Sequence, residues 1–332
     1  MLPFLGHAKA VRCLDFTPDG NTLASGGDDG AILIWDRLSA VVRHTLPTGL
    51  KSVGALACHP DGERLLAPWK YALAVLDSPD RLRFWNLESG KPCAVEDHET
   101  GLWHRAELLA KGPELLEIPI GDAATVSALS FRPDGESWIA LHFAPKTTMY
   151  YGPNISKAIK PEWRPCDPKL EAYPSWFDRR VEISALSLSA DGTTAAVASR
   201  EYVRVGALDA ARVPPAYRAA KPVASIALSP NADRLIGCWG NVVTVWETGG
   251  ASRVREFDGH TAPVRTVAYA PDGSLAASAG LDGTVLLWEP DGGSIRVRYD
   301  WNLGPIHKLA FAPDGLTLAV AGQGGLILFD LE

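Results

Sequence analysis

One short phrase recurs along this chain and leaves few folds open. Val11-Arg-Cys-Leu-Asp-Phe-Thr-Pro-Asp-Gly20 returns as Val126-Ser-Ala-Leu-Ser-Phe-Arg-Pro-Asp-Gly135, as Val264-Arg-Thr-Val-Ala-Tyr-Ala-Pro-Asp-Gly273 and as Ile306-His-Lys-Leu-Ala-Phe-Ala-Pro-Asp-Gly315. Weaker copies close on His59-Pro-Asp-Gly62, Ser189-Ala-Asp-Gly192 and Ser229-Pro-Asn-Ala232. The Asp or Asn of the turn stands at 19, 61, 134, 191, 231, 272 and 314, so successive steps are 42, 73, 57, 40, 41 and 42 residues. A unit of this size cannot bury its own apolar face. Self-similarity at such a period therefore points to units stacked side by side.

Within a copy, apolar and polar residues alternate before the turn, the period of a half-buried strand. Pro-Asp-Gly then supplies the turn: Pro presets φ, Asp bonds nearby backbone, and Gly accepts a positive φ. A small, apolar second strand follows, as in Thr22-Leu-Ala-Ser-Gly26, and then a third, as in Ala31-Ile-Leu-Ile-Trp35. A more polar fourth strand fits Val41–Leu46, Arg253–Phe257 and Ile295–Tyr299. Four strands in about 41 residues is the arithmetic of a propeller blade.

Two copies carry more. Gly6-His7 precedes Trp35-Asp36, and Gly259-His260 precedes Trp288-Glu289, each His 28 residues before its Trp. On these motifs the chain resembles the WD-repeat (Trp-Asp) β-propeller family. The resemblance implies an all-β, seven-bladed propeller of four-stranded antiparallel blades, closed by an N-terminal strand that completes the last blade. It also implies a buried structural tetrad in two blades: His7, Ser25, Asp29 and Trp35, then His260, Ser278, Asp282 and Trp288. Such a network rigidifies a blade when every member is satisfied. A catalytic His-Ser-Asp set is the competing interpretation; recurrence at blade offsets argues against it. Trp85-Asn86 and Trp246-Glu247 keep the third-strand Trp alone, and Phe329-Asp330 and Val205–Leu208 are more degenerate.

The expected division of residues 1–332 assigns 1–5 to the closing strand of blade 7, 6–47 to blade 1 and 48–121 to blade 2 with insertions. Residues 122–180 form blade 3 with an aromatic, Pro-rich insertion. Blades 4 to 7 take 181–221, 222–258, 259–302 and 303–332. The excess in blade 2 falls at 68–80 and at Cys93–Gly121, where a short helix and a fourth strand are expected. The excess in blade 3 is Pro145–Arg180, where prolines forbid a long helix. This segment includes Met149-Tyr150-Tyr151, Trp163, Arg164 and Trp176. Trp, Tyr and Arg dominate interface hot spots, although the same aromatics also suit a satellite core.

Composition excludes several function classes. The formal charge of −7 argues against a nonspecific grip on nucleic acid or an anionic membrane, both of which need a basic face. No apolar run is long enough to span a bilayer as a helix, and Met1–Leu5 lacks the features of a signal peptide. Five scattered cysteines suit buried thiols in a reducing compartment. His98 and His104 beside Asp97 and Glu99 match no metal signature, and Asp28-Asp29-Gly30 lacks the later ligands of a calcium loop. No metal or cofactor is expected.

By the resemblance, loops between strands two and three and loops leading into each blade share one face of the propeller. That face is expected to present Trp69, Lys70, Tyr71, Arg200, Tyr202, Trp239, Asn241 and Trp301. With the 145–180 insertion it would bind a protein or peptide, so the expectation is a cytoplasmic, non-enzymatic scaffold or adaptor with no nucleic-acid ligand and no membrane insertion. The alternatives are an enzyme on a propeller scaffold (hydrolase or dehydrogenase) and the regulatory propeller of a larger assembly. Oligomeric state stays open.

Overall fold

The computed structural model describes residues 2–4, 6–69, 81–93, 117–119, 125–131, 133, 137–143, 148–153, 184–207, 214–249, 253–292 and 294–331. Every regular element among them is a β-strand, and the strands form seven antiparallel sheets, numbered here in chain order. Sheet 1 runs Val11–Phe16, Thr22–Gly27, Ala31–Asp36 and Val41–Pro47. Sheet 2 runs Ala57–Cys58, Arg64–Trp69, Arg81–Asn86 and Glu117–Pro119. Sheet 3 has three described strands, Thr125–Phe131, Ser137–Phe143 and Thr148–Pro153. Sheet 4 comprises Ala185–Leu188, Thr194–Ser199, Tyr202–Ala207 and Ala216–Arg218. Sheet 5 comprises Ser225–Leu228, Arg234–Trp239, Val242–Glu247 and Arg253–Asp258. Sheet 6 takes Val264–Tyr269, Ala276–Gly280, Thr284–Trp288 and Ile295–Asp300. Sheet 7 takes Ile306–Phe311, Thr317–Gly322 and Gly325–Asp330, and its fourth strand is Leu2–Phe4, with Leu2 opposite Leu328 and Phe4 opposite Leu326.

Met149, Tyr150 and Tyr151 correct the expectation that placed them in an insertion. They lie in the third strand of sheet 3, opposite Leu141, Ala140 and Ile139. The pattern Thr148–Pro153 lacks the closing Trp that marks this strand elsewhere, which hid it.

The turns follow from their residues. Each Asp carboxylate accepts the backbone N–H two positions on: Asn21 to Asp19, Glu63 to Asp61, Thr193 to Asp191, Ser274 to Asp272 and Leu316 to Asp314. The following Gly sits at φ 70° in Gly20 and 75° in Gly273, a conformation that costs glycine little. Where the sequence reads Asn231-Ala232, Ala232 is held at φ 57°.

The second strand of sheet 1 is buried along its whole length, Thr22 to Gly27, because both its faces meet other sheets. Small residues make that possible: a Cβ on Gly26 would stand 2.7 Å from Val53 and 2.8 Å from the Cys13 sulfur. The first strand of each sheet lies against that of the next, and that of sheet 7 lies against that of sheet 1. Side chains tie these strands across the gaps. Asp15 accepts the Cys58 N–H at 2.8 Å, Ser187 that of Leu228 at 3.0 Å, Ser225 that of Val267 at 3.3 Å and Thr266 that of Leu309 at 3.3 Å. Strand edges that would otherwise be left without partners are thereby covered.

A second device recurs toward the outer strands. An aromatic on a sheet's fourth strand packs on the third-strand aromatic of the next sheet: Tyr217 on Trp246 (5.9 Å between centroids), Phe257 on Trp288 (4.6 Å) and Tyr299 on Phe329 (4.9 Å). Phe4 makes the same contact with Trp35 at 5.1 Å. Opposite, Arg37 of sheet 1 binds Asp314 at 2.6 Å and Thr317 at 2.8 Å in sheet 7. Cys13, Cys58 and Cys238 are buried unpaired thiols and Cys93 is half-buried; Cys166 lies outside the described residues.

Candidate functional site

Two polar chains run inside the sheets. In sheet 1 the Trp35 indole N–H donates to Ser25 Oγ at 2.7 Å. Ser25 lies 2.8 Å from His7 Nε2, and His7 Nδ1 lies 2.9 Å from Asp29. The Asp29 carboxylate also accepts the Ala8 and Ala31 amides at 2.8 and 3.1 Å. Sheet 6 repeats the chain through Trp288, Ser278, His260 and Asp282 at 2.7, 2.8 and 2.9 Å. With Nδ1–H donating to the carboxylate, Nε2 accepts the serine hydroxyl proton, and every group is satisfied. Burial holds His260 below the ordinary imidazole range, so the ring is neutral. Burial alone would raise the Asp29 and Asp282 carboxyls; the amides of Ala31 and Thr284, with the histidines, outweigh it and hold both low. Ser25 and Ser278 are fully buried and already bonded on both sides, an arrangement suited to stiffening a sheet and closed to a substrate.

At the start of each first strand the connecting loops gather. The loop between strands two and three of one sheet meets the segment leading into the next: Val53 N–H donates to Gly27 O, Val223 to Arg200 O and Val264 to Gly240 O. Arg200 is exposed at φ 50°, and Tyr202 is 43% exposed with the Arg218 guanidinium 6.0 Å from its ring centre. Asn241 is exposed, and its amide donates to the His260 carbonyl at 3.3 Å. These three side chains are open to a partner.

Trp239 is not. It is 4% exposed and its ring lies 5.4 Å from that of Trp246, above Gly237, where sheets 1 and 6 carry serine. The Trp246 ring fills the space a Gly237 side chain would take, and Trp239 packs against that ring. Trp301 is half-buried, stacked on Tyr299 at 4.9 Å and against Phe329 at 4.4 Å. Trp69 ends the second strand of sheet 2, with its side chain outside the described residues. Lys70, Tyr71, Trp163, Arg164, Trp176, His98 and His104 also lie outside them, as does the helix expected within Cys93–Gly121.

Between the first strands lies a cavity of about 920 Å³ lined by residues of all seven sheets. Its wall carries the cations Arg12, Arg265 and Lys308, with the imidazole of His307 among them. The pairing skips one residue between Val11 and Cys13, between Val264 and Thr266, and between Ile306 and Lys308. Arg12, Arg265 and His307 are the residues those bulges set out of the ladder. The signal was present in the second column of the aligned copies, Val-Arg, Val-Arg and Ile-His. Arg12 pairs with Asp28 and approaches His307 Nε2 at 3.2 Å. Burial, then Arg12, holds His307 below the ordinary range. Among the described lining residues Asp15 is the one carboxylate; burial lifts it to about 6 against the pull of the Cys58 amide and Lys308.

Among the described residues no group of three or more His, Cys, Asp or Glu is placed to hold a metal, and no helix is long and apolar enough to cross a membrane.

Comparison with known proteins places this architecture. The family described as "WD domain, G-beta repeat" matches residues 2–36 and 251–289, the two segments that hold the Trp–Ser–His–Asp chains. Protein tipD of Dictyostelium discoideum is 29% identical over 86 residues, 26% of this chain and 13% of that protein. Periodic tryptophan protein 2 homolog of Schizosaccharomyces pombe is 37% identical over 93 residues, 28% of this chain and 10% of that protein. The chain thus spans only a small part of these two relatives. Eukaryotic translation initiation factor 3 subunit I of Rattus norvegicus is 22% identical over 341 residues, covering 86% of this chain and 95% of that protein. The repeated turn, the sheets it punctuates and the matched segments together show WD repeats in this chain.

Proposed function

We propose that the chain is a non-enzymatic scaffold that holds a protein or peptide ligand on the loop face at the mouth of its central cavity. The observation that carries this reading is the division of labour among polar residues. The His, Ser and Asp groups that chemistry would need are bonded to one another inside sheets 1 and 6. The exposed polar and aromatic groups stand instead at one end, Arg200 and Asn241 on loops and Tyr202 at the start of a strand. A rigid frame that presents side chains on loops suits recognition.

In this reading the molecule is a closed seven-bladed propeller with blades at 6–47, 48–121, 122–180, 181–221, 222–258, 259–302 and 303–332, and residues 1–5 close blade 7. Support comes from the pairing of Leu2–Phe4 with Gly325–Asp330 and from the contact of sheet 7 with sheet 1. The 145–180 segment is a second contact region, reduced by the strand Thr148–Pro153. We place the protein in the cytoplasm, consistent with its unpaired thiols. A relative that matches most of the chain is named as a subunit of a translation initiation factor, which favours work within a multi-protein assembly.

The test replaces Arg200, Tyr202 and Asn241 together by alanine. Melting temperature and recovery of partners from native cells are both measured. The reading expects an unchanged fold and lost partners; an unchanged fold with undiminished partner recovery refutes the face.

A further inference from the structure

The cavity wall is electrically lopsided, and the asymmetry names a ligand class. Three consecutive first strands, those of sheets 6, 7 and 1, bring Arg265, His307 with Lys308, and Arg12 to one stretch of the wall. These residues stand near the start of their strands, at the end where Asp28 of a strand-two-to-three loop meets Arg12. The opposite end of the same strands leads into the turns, with Asp19, Asp272 and Asp314. Charge is therefore segregated along the strands although the chain as a whole is acidic.

Of the four basic groups, only Arg12 has a carboxylate partner among the described residues. Arg265 and Lys308 are exposed, and no hydrogen bond or ion pair joins either to a carboxylate there. Asp15 lies further along the wall, and its oxygens accept the Cys58 and Phe16 amides. Two cations without a bonded carboxylate, beside a third, outnumber the Asp28 and Asp15 carboxylates near them, and such an excess in a concave site attracts and orients an anion; low-dielectric walls strengthen the effect. The bulges matter because each frees a side chain from the in-and-out alternation of its strand and aims it to the cavity.

Resting on the scaffold reading above, we infer that the cavity mouth between sheets 6, 7 and 1 takes an acidic peptide segment of a partner protein, with Arg265 and Lys308 holding its carboxylates and Arg12 and His307 lining the approach. A peptide fits better than nucleic acid because the basic stretch is confined to a concave wall. A strand of phosphates needs a long basic track.

The test uses the full chain and a fluorescein-labelled hexaglutamate peptide, read by fluorescence anisotropy at low and at physiological salt. The expected result is saturable binding that weakens with salt and is at least about tenfold weaker in Arg265→Glu with Lys308→Glu. Arg265→Lys with Lys308→Arg keeps the binding, as does Arg296→Glu on the exposed outermost strand of sheet 6. Should the reversed pair fail to fold by circular dichroism, Arg265→Gln with Lys308→Gln takes its place with the same expectation. Failure of hexaglutamate to bind, equal binding of a hexaserine peptide, or undiminished binding to the charge-altered pair overturns the inference. A labelled oligothymidine that binds more tightly and displaces the peptide overturns it in favour of nucleic acid. If native partners are lost from the Arg200, Tyr202 and Asn241 variant while hexaglutamate does not bind, the scaffold reading stands and the acidic-ligand inference falls. If the Arg200, Tyr202 and Asn241 variant keeps its native partners and hexaglutamate does not bind, both fall.

Discussion

Ser278→Ala isolates the energetics of the buried polar chain in sheet 6. The substitution removes one oxygen from a site with no solvent access. Two groups lose their partner at once: the Trp288 indole N–H, at 2.7 Å from that oxygen, and the His260 Nε2 lone pair, at 2.8 Å. Trp288 is 2% and His260 4% exposed, so water does not replace the serine. A buried polar group left unpaired costs about 1–3 kcal/mol, and two of them place the loss at roughly 3 kcal/mol after partial relaxation. For a chain of this length unfolding as one unit, that is a fall in melting temperature of about 4 °C. Calorimetry and urea melts measure it. A double-mutant cycle with Trp288→Phe separates mechanism from mere damage: with the indole N–H already gone, the serine loss costs about 1 kcal/mol less than in the parent. A Ser278→Ala protein within about 0.5 kcal/mol of the parent, or a cycle additive to about 0.3 kcal/mol, refutes the reasoning.

Phe4→Ala removes the ring that spans from sheet 7 to Trp35, with an expected cost of about 3 kcal/mol in urea unfolding, and deletion of residues 2–4 costs more because the ladder to Gly325–Asp330 goes too. Ala232→Gly relaxes a residue held at φ 57° in a turn where other copies carry glycine, and stabilises the protein by about 0.5–1 kcal/mol in the same assay. Arg37→Ala breaks the link to Asp314 and Thr317 and costs about 1 kcal/mol. Stability also depends on pH with two signs. His260 and Asp282 titrate lower in the folded state than in the unfolded chain, so the unfolded chain binds more protons and stability drains away in acid, first below about 6.5 for the histidine and then below about 4 for the carboxylate. Asp15, raised to about 6, runs the other way: the folded state holds its proton more tightly, and stability falls as pH rises from about 4 to 6. Unfolding free energy against pH for Asp15→Asn, compared with the parent, therefore loses that declining segment; an unchanged profile would contradict the assignment.

Much of the sheet order was legible because the turn is local chemistry. Pro, Asp and Gly act within four residues, so Pro18-Asp19-Gly20 and its copies announce themselves wherever they occur. The two tetrads were legible for a related reason, since a polar chain needs four residue types at fixed offsets. What escaped the sequence depends on neighbours far along the chain. Trp239 stands next to a loop and looks exposed, but its ring is buried against that of Trp246 on the neighbouring strand. The contact of Phe4 with Trp35 crosses from one sheet to another, where no local pattern marks it. Arg12, Arg265 and His307 were obscured by the bulges, which break the period-two alternation at the residue that matters. In sheet 3 the signal is weak because Thr148–Pro153 has neither the third-strand Trp nor a small-residue partner strand.

The pairing of Leu2 with Leu328 also sets an order of events during biosynthesis. Leu2–Phe4 leaves the ribosome before any of the seven sheets is made, and its partner Gly325–Asp330 follows the other six sheets. Until then Leu2–Phe4 lacks its partner strand and the growing array has an open edge, both invitations to pair with a neighbouring chain on the polysome. A circular permutant that moves residues 2–4 to follow Asp330 turns this distant encounter into a hairpin, and it should refold faster without any change in the finished molecule.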